Sequence, residues 1–203
     1  MIGIIDYGMG NIHSVQKALE VSGAKTIVTS TPSEIEGCDK VVLPGVGAFD
    51  DAMQELKKMN FISLILKYVK SKRPFLGICL GMQLLFESSE EAPGTQGLGI
   101  LRGAVRRFQQ KGNLKVPHMG WNQLRISKGG CPLLNGISDN SFVYFCHSYY
   151  PQNRDSEVTA AVTDYGASFT SAVWKENVFG VQFHPEKSQS VGLQMLRNFV
   201  NAC

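Results

Sequence analysis

Apolar and polar positions along the first half of this 203-residue chain switch between two periods. Short apolar runs at 2–6, 26–28, 40–43 and 75–78 read as strands. The segments at 14–21, 49–59 and 61–71 repeat apolar residues on one face at helical spacing. Gly23 stops the first helix and Pro44 ends the third strand. After the fourth strand, Met82-Gln83-Leu84-Leu85-Phe86-Glu87 are helix formers and extend the pattern. A succession of strand and helix argues for a parallel sheet covered on both faces.

The second half is richer in strands. Runs at 101–108, 142–145, 157–162, 169–173 and 178–183 have β-branched or aromatic character. Lys128-Gly129-Gly130, Asp139-Asn140 and Lys175-Glu176-Asn177 supply turns between them, and a last helix at 191–201 lines up Leu193, Leu196 and Val200. No repeat or linker breaks the chain, so residues 1–203 are expected to form a single domain. The expected class is α/β: a three-layer, flavodoxin-like open sheet, mostly parallel, with helices on both faces and added antiparallel strands in the C-terminal half.

A net charge of +3 is too small to suggest nucleic acid as a partner. The loose basic stretch of Arg102, Arg106, Arg107, Lys111 and Lys115 reads as a solvated hairpin face. The N-terminus lacks the basic start and long apolar core of a signal peptide, and no apolar run approaches membrane-spanning length. Five cysteines without paired spacing fit a reducing compartment, so a cytoplasmic protein without a membrane partner is expected. The histidines and cysteines show no metal-ligand spacing, and Gly8-Met9-Gly10-Asn11 lacks the third glycine of a dinucleotide fingerprint; neither metal nor cofactor is expected.

Three motifs carry chemistry, each at a predicted strand end, where open sheets of this kind bind ligands. In Gly77-Ile78-Cys79-Leu80-Gly81 a cysteine sits on the bend from strand to helix, with glycine two residues to either side. A nucleophile elbow has this form, and a helix N-terminus there favours thiolate over thiol; the plain alternative is a buried small hydrophobe. In His184-Pro185-Glu186, proline holds His184 extended, and residues two apart then point the same way, so Glu186 can orient the imidazole. The plain alternative is a turn with a surface ion pair. In Pro44-Gly45-Val46-Gly47, two glycines around a valine permit N–H groups to be aimed into a cleft, as an oxyanion hole requires. Gln83 lies one helical turn beyond Cys79, within reach of a substrate held at the sulfur. His147 is a rival base, but no carboxylate stands two positions on.

In order and spacing these motifs closely resemble those of the class I (triad) glutamine amidotransferases, over essentially the whole chain. Three further stretches, Asp6-Tyr7-Gly8-Met9-Gly10-Asn11, Pro117-His118-Met119-Gly120-Trp121-Asn122 and Phe145-Cys146-His147-Ser148-Tyr149, are similar to those of the glutaminase subunits of imidazole glycerol phosphate synthases. The resemblance implies catalysis by Cys79, His184 and Glu186, with an oxyanion hole at Gly45, Val46, Gly47 and Leu80. It implies glutamine binding by Gln83, Glu91, Ser148 and Tyr149. It further implies a (β/α)₈ cyclase subunit as partner, with Asn11, Met119, Trp121, Tyr144 and Lys187 at the junction and ammonia passed to the substrate PRFAR. Three alternatives stay open: a glutaminase subunit for another acceptor, a partner-independent cysteine hydrolase of glutamyl compounds, and a catalytically silent binding subunit.

Overall fold

In the computed structural model, which describes residues 1–110, 112, 114–127 and 129–203, the first half alternates strand and helix as its pattern predicts. The order is β1 (Ile2–Ile5), α1 (Ile12–Val21), β2 (Thr26–Thr29), α2 (Pro32–Glu36), β3 (Lys40–Gly45), α3 (Phe49–Lys58), α4 (Phe61–Lys70), β4 (Phe75–Cys79) and α5 (Leu80–Gln83). The rest is strand-rich: β5 (Ser88–Ser89), β6 (Gly103–Arg107), β7 (His118–Gln123), β8 (Arg125–Ile126), β9 (Phe142–His147), β10 (Tyr149–Asn153), β11 (Thr159–Asp164), β12 (Ser168–Lys175), β13 (Val178–Val181) and the closing helix α6 (Gln189–Asn201). Lys111 of the basic stretch and Lys128 of the predicted turn lie outside the described residues.

Among the described residues the main sheet has eight strands in the order β2-β1-β3-β4-β13-β12-β11-β8. The first five are parallel and the last three antiparallel to their neighbours, as expected for the fold class. Strand periodicity sends alternate residues to opposite faces. Ile5, Val41, Leu43 and Phe75 meet Phe49, Leu56, Phe61 and Ile65 of α3 and α4 on one side. Ile4, Val42, Leu76 and Ile78 meet Val15 and Leu19 of α1 and Leu196 and Phe199 of α6 on the other. Burying each such side chain contributes roughly 1.5–3 kcal/mol, so two cores sharing one sheet hold the parallel strands in place. The last turn of α6 leaves carbonyls without helical partners, and Lys40 Nζ accepts that role from β3, donating to the carbonyls of Phe199, Val200 and Cys203 at 2.8, 2.8 and 2.6 Å. No helix among the described residues is long and apolar enough to cross a membrane.

Helix α2 and strands β5, β8 and β10 are not read from the sequence pattern, and two further segments differ from expectation. The helix predicted at 82–87 closes after one turn: α5 ends at Gln83. The carbonyls of Leu84, Leu85 and Phe86 are taken instead by the N–H groups of Leu98, Leu101 and Gly99 from the returning chain, so tertiary bonding overrides helix propensity. The motif at 117–122, read from sequence only as a signature, is largely strand: β7 pairs antiparallel with β9, placing Met119 opposite Cys146 and Trp121 opposite Tyr144.

Candidate active site

The ends of β3, β4 and β13 lie side by side, because these strands are neighbours and in register: Gly45 stands opposite Cys79, and Val181 opposite Ile78. All three motifs therefore open on one edge of the sheet. Cys79 holds φ 54° and ψ −109° at the elbow, a region costly for any residue with a Cβ. The glycines allow the bend. A Cβ at Gly81 would lie 1.9 Å from the Leu43 carbonyl oxygen, and one at Gly77 would lie 2.6 Å from the Gly81 carbonyl oxygen.

A cavity of about 300 Å³ sits over the bend, lined by Val46, Gly47, Leu80, Gln83, Glu91, Ser148, Tyr149 and Lys187 together with Cys79 and His184. His184 Nδ1 lies 2.8 Å from Glu186 Oε1, with both side chains buried. The expected extended geometry holds for His184 itself, at φ −102° and ψ 96°. The segment Pro185–Lys187, however, is a 3₁₀ turn, since the Lys187 and Ser188 N–H groups fold back to the His184 and Pro185 carbonyls. Glu186 reaches the ring through that turn rather than along a strand. Burial works against a charged imidazole, but hydrogen bonds and opposite charge from Cys79 and Glu186 outweigh it and push the His184 pKa up to about 10. The arrangement places an imidazole between a sulfur and a carboxylate, the geometry of a base oriented by an acid.

The remaining candidates fall as follows. Gly47 has φ +104°, and the peptides from Gly45 to Gly47 border the cavity beside Cys79. Tyr7, one residue beyond Asp6 at the end of the first parallel strand, donates its hydroxyl to the Pro44 carbonyl at 3.0 Å and pins that loop. Glu91 accepts the Phe49 N–H at the start of α3 at 3.0 Å; burial, aided by the negative charges of Asp50 and Asp51, raises its pKa above the usual range against the opposing pull of this bond. Met119 and Trp121 are 62% and 47% exposed, so Trp121 is no core indole. Trp121 meets Tyr144 edge to face at 6.1 Å, and Lys187 Nζ lies 5.8 Å from the Tyr144 ring centre. Asn11 precedes α1 without capping it through its side chain.

His147 is not placed as the base. Its Nδ1 faces the Tyr149 carbonyl at 2.8 Å and its Nε2 faces His118 Nδ1 at 3.0 Å. A carbonyl only accepts, so His147 donates from Nδ1 and accepts at Nε2 from His118. His118 in turn accepts at Nε2 from Asn122 Nδ2 at 3.3 Å. Both rings are thereby neutral, and burial pushes their pKa values down to about 4 for His118 and about 3 for His147.

Sequence reasoning missed Gln182. Fully buried, it donates from Nε2 toward Cys79 Sγ at 3.7 Å and accepts from Gln83 Nε2 at 3.1 Å. The available signal was a single polar residue in the apolar run Val178-Phe179-Gly180-Val181-Gln182-Phe183.

Comparison with known proteins agrees with the architecture. Residues 3–203 match the family model for glutamine amidotransferase class-I. The imidazole glycerol phosphate synthase subunit HisH of Syntrophotalea carbinolica is 54% identical over 204 residues, covering 98% of each chain. The subunit of that name from Methanocaldococcus jannaschii is 51% identical over 200 residues, again covering 98% of each. Among solved structures, PurLQS from Thermotoga maritima shares the fold with a TM-score of 0.78 at 19% identity, over 98% of this chain and 97% of that one. With identity of this order along nearly its full length, the chain belongs to the class-I glutamine amidotransferases and, within them, to the HisH subunits of imidazole glycerol phosphate synthase.

Proposed function

We propose that this chain, acting as one domain, hydrolyses glutamine to glutamate and ammonia and delivers the ammonia to a (β/α)₈ cyclase subunit. That partner would use it to convert PRFAR to imidazole glycerol phosphate and AICAR. The observation that carries the reading is that Cys79 and His184 line one cavity while Glu186 holds the His184 ring at Nδ1.

Cys79 Sγ attacks the side-chain carboxamide carbon of glutamine as a thiolate, its proton already held on His184 Nε2 by the raised basicity of that ring. The tetrahedral oxyanion is met by N–H groups of the Gly45-Val46-Gly47 run and of Leu80, which opens α5. His184 returns the proton to the leaving nitrogen, which departs as ammonia and leaves a glutamyl thioester. Water deprotonated by His184 then releases glutamate. Glu186 holds the ring in place throughout. Gln83, Glu91, Ser148 and Tyr149 line the same cavity and bind the amino-acid end of the substrate.

Free ammonia near neutral pH is mostly ammonium, which has no lone pair for attack, so its transfer needs an enclosed route. The exposed side chains of Met119 and Trp121, with Tyr144, Lys187 and Asn11, form the junction through which the partner would receive it. Cysteines not joined by disulfides among the described residues suit the cytoplasm as the working compartment. Glutamate release measured with and without the cyclase and its nucleotide substrate tests the whole reading. Turnover is expected to rise in the complex and to fall by about 10³-fold or more in Cys79→Ser. Equal turnover in the presence and absence of the cyclase would reject activation, and an active Cys79→Ser would reject the nucleophile.

A further inference from the structure

We propose that Gln182 is a positioning residue that holds the Cys79 sulfur as a thiolate, its amide oriented by a hydrogen-bonded chain fixed at the Tyr149 carbonyl. The inference rests on the reading of Cys79 as the nucleophile. The Tyr149 carbonyl accepts Gln83 Nε2 at 2.9 Å, and the same nitrogen reaches Gln182 Oε1 at 3.1 Å. Both protons of the Gln83 amide are then spent on acceptors, so Gln182 must present its oxygen to Gln83 and its nitrogen to the sulfur. That nitrogen lies 3.7 Å from Cys79 Sγ. Reversing the Gln182 amide would set two N–H groups against each other in a place where the side chain is fully buried.

A fixed donor at sulfur discriminates between protonation states. In the thiol form, Cys79 donates toward the Cys146 carbonyl, 3.9 Å away. Once the proton moves to His184, that carbonyl offers the anion nothing, while the Gln182 N–H bond gains charge assistance. Gln182 thus acts through Cys79 and touches no substrate. The carbonyl that orients it also accepts His147 Nδ1, and this ties its placement to the buried ring pair between β7 and β9.

The test is the pH dependence of iodoacetamide alkylation at Cys79 in the full chain, read from the mass of the peptide that carries it, so the other cysteines do not count. Gln182→Glu keeps an acceptor for Gln83 but replaces the donor at sulfur by an anion. Gln182→Met keeps the length and removes both bonds. The alkylation midpoint is expected to rise by about one pH unit in Gln182→Met and by more in Gln182→Glu. A purely structural role would lower the melting temperature without moving the midpoint. Should Gln182→Glu fail to fold, Gln182→Met decides. Alkylation of Cys79 with an unshifted midpoint overturns the role of Gln182 and leaves the nucleophile standing; a Cys79 that never alkylates in the parent chain overturns both.

Discussion

At the scale of single residues, His184 concentrates the electrostatics of the site. Its pKa is raised to about 10 because Cys79 and Glu186 favour the imidazolium against the cost of burial. A raised basic pKa means that the charged ring stabilises the fold fully below about pH 6.5, the unfolded value, and that this contribution fades as pH climbs through about 10. The melting-temperature gap between the parent and His184→Asn is therefore expected to be widest at about pH 6.5 and just below, and to close toward pH 10. Glu186→Gln keeps the ring in place but removes its charge partner. It should draw the His184 titration, followed by NMR of the ring protons, back toward the ordinary range and cut turnover by roughly 10²–10⁴-fold. Cys79, His184 and Glu186 could be singled out together as candidates because their signals are local: glycines two residues either side of Cys79, and a proline that shapes the backbone at His184. Gln182 could not, because its role depends on Gln83 and Tyr149, distant in sequence and brought together only by the fold.

At the scale of elements, the ribbon of β7 and β9 carries a neutral imidazole pair beneath its exposed aromatic face. His118 and His147 have pKa values lowered to about 4 and about 3 by burial. Sign matters here in the opposite sense: their contribution is present above about pH 6.5 and is lost as pH falls through those values. Acid unfolding is expected to steepen below about pH 6.5, and a His147→Gln variant should show a flatter dependence of melting temperature on pH between 6.5 and 4. The parallel strands were legible because each is a buried apolar run between turn signals. Of the ribbon, β9 was legible at 142–145 but β7 was not, since Gly120 and Asn122 interrupt any strand pattern and pairing with β9 supplies what propensity lacks. The shortening of α5 has the same origin, with loop N–H groups capturing the carbonyls of a segment whose composition favours helix.

At the scale of the molecule, exposed large apolar side chains, Met119, Trp121 and Phe142, gather on the β7–β9 ribbon. Trp121 is 47% exposed, so Trp121→Ala should leave the melting temperature of the isolated chain nearly unchanged. A desolvated tryptophan at a subunit junction commonly contributes about 2 kcal/mol or more. Calorimetric titration with the cyclase is expected to show about 30-fold weaker binding. Unchanged affinity would remove Trp121 from the junction.

The positive φ at Cys79 has a further consequence for evolution at this position. The chain must bend there through a conformation that glycine adopts freely and other residues resist, so selection for a reactive thiol runs against selection for a relaxed backbone. Replacing the whole side chain with hydrogen (Cys79→Gly) should therefore yield a hardier protein than replacing it with a methyl group (Cys79→Ala). Inactive descendants of this chain, freed from chemistry, are expected to drift toward glycine at position 79.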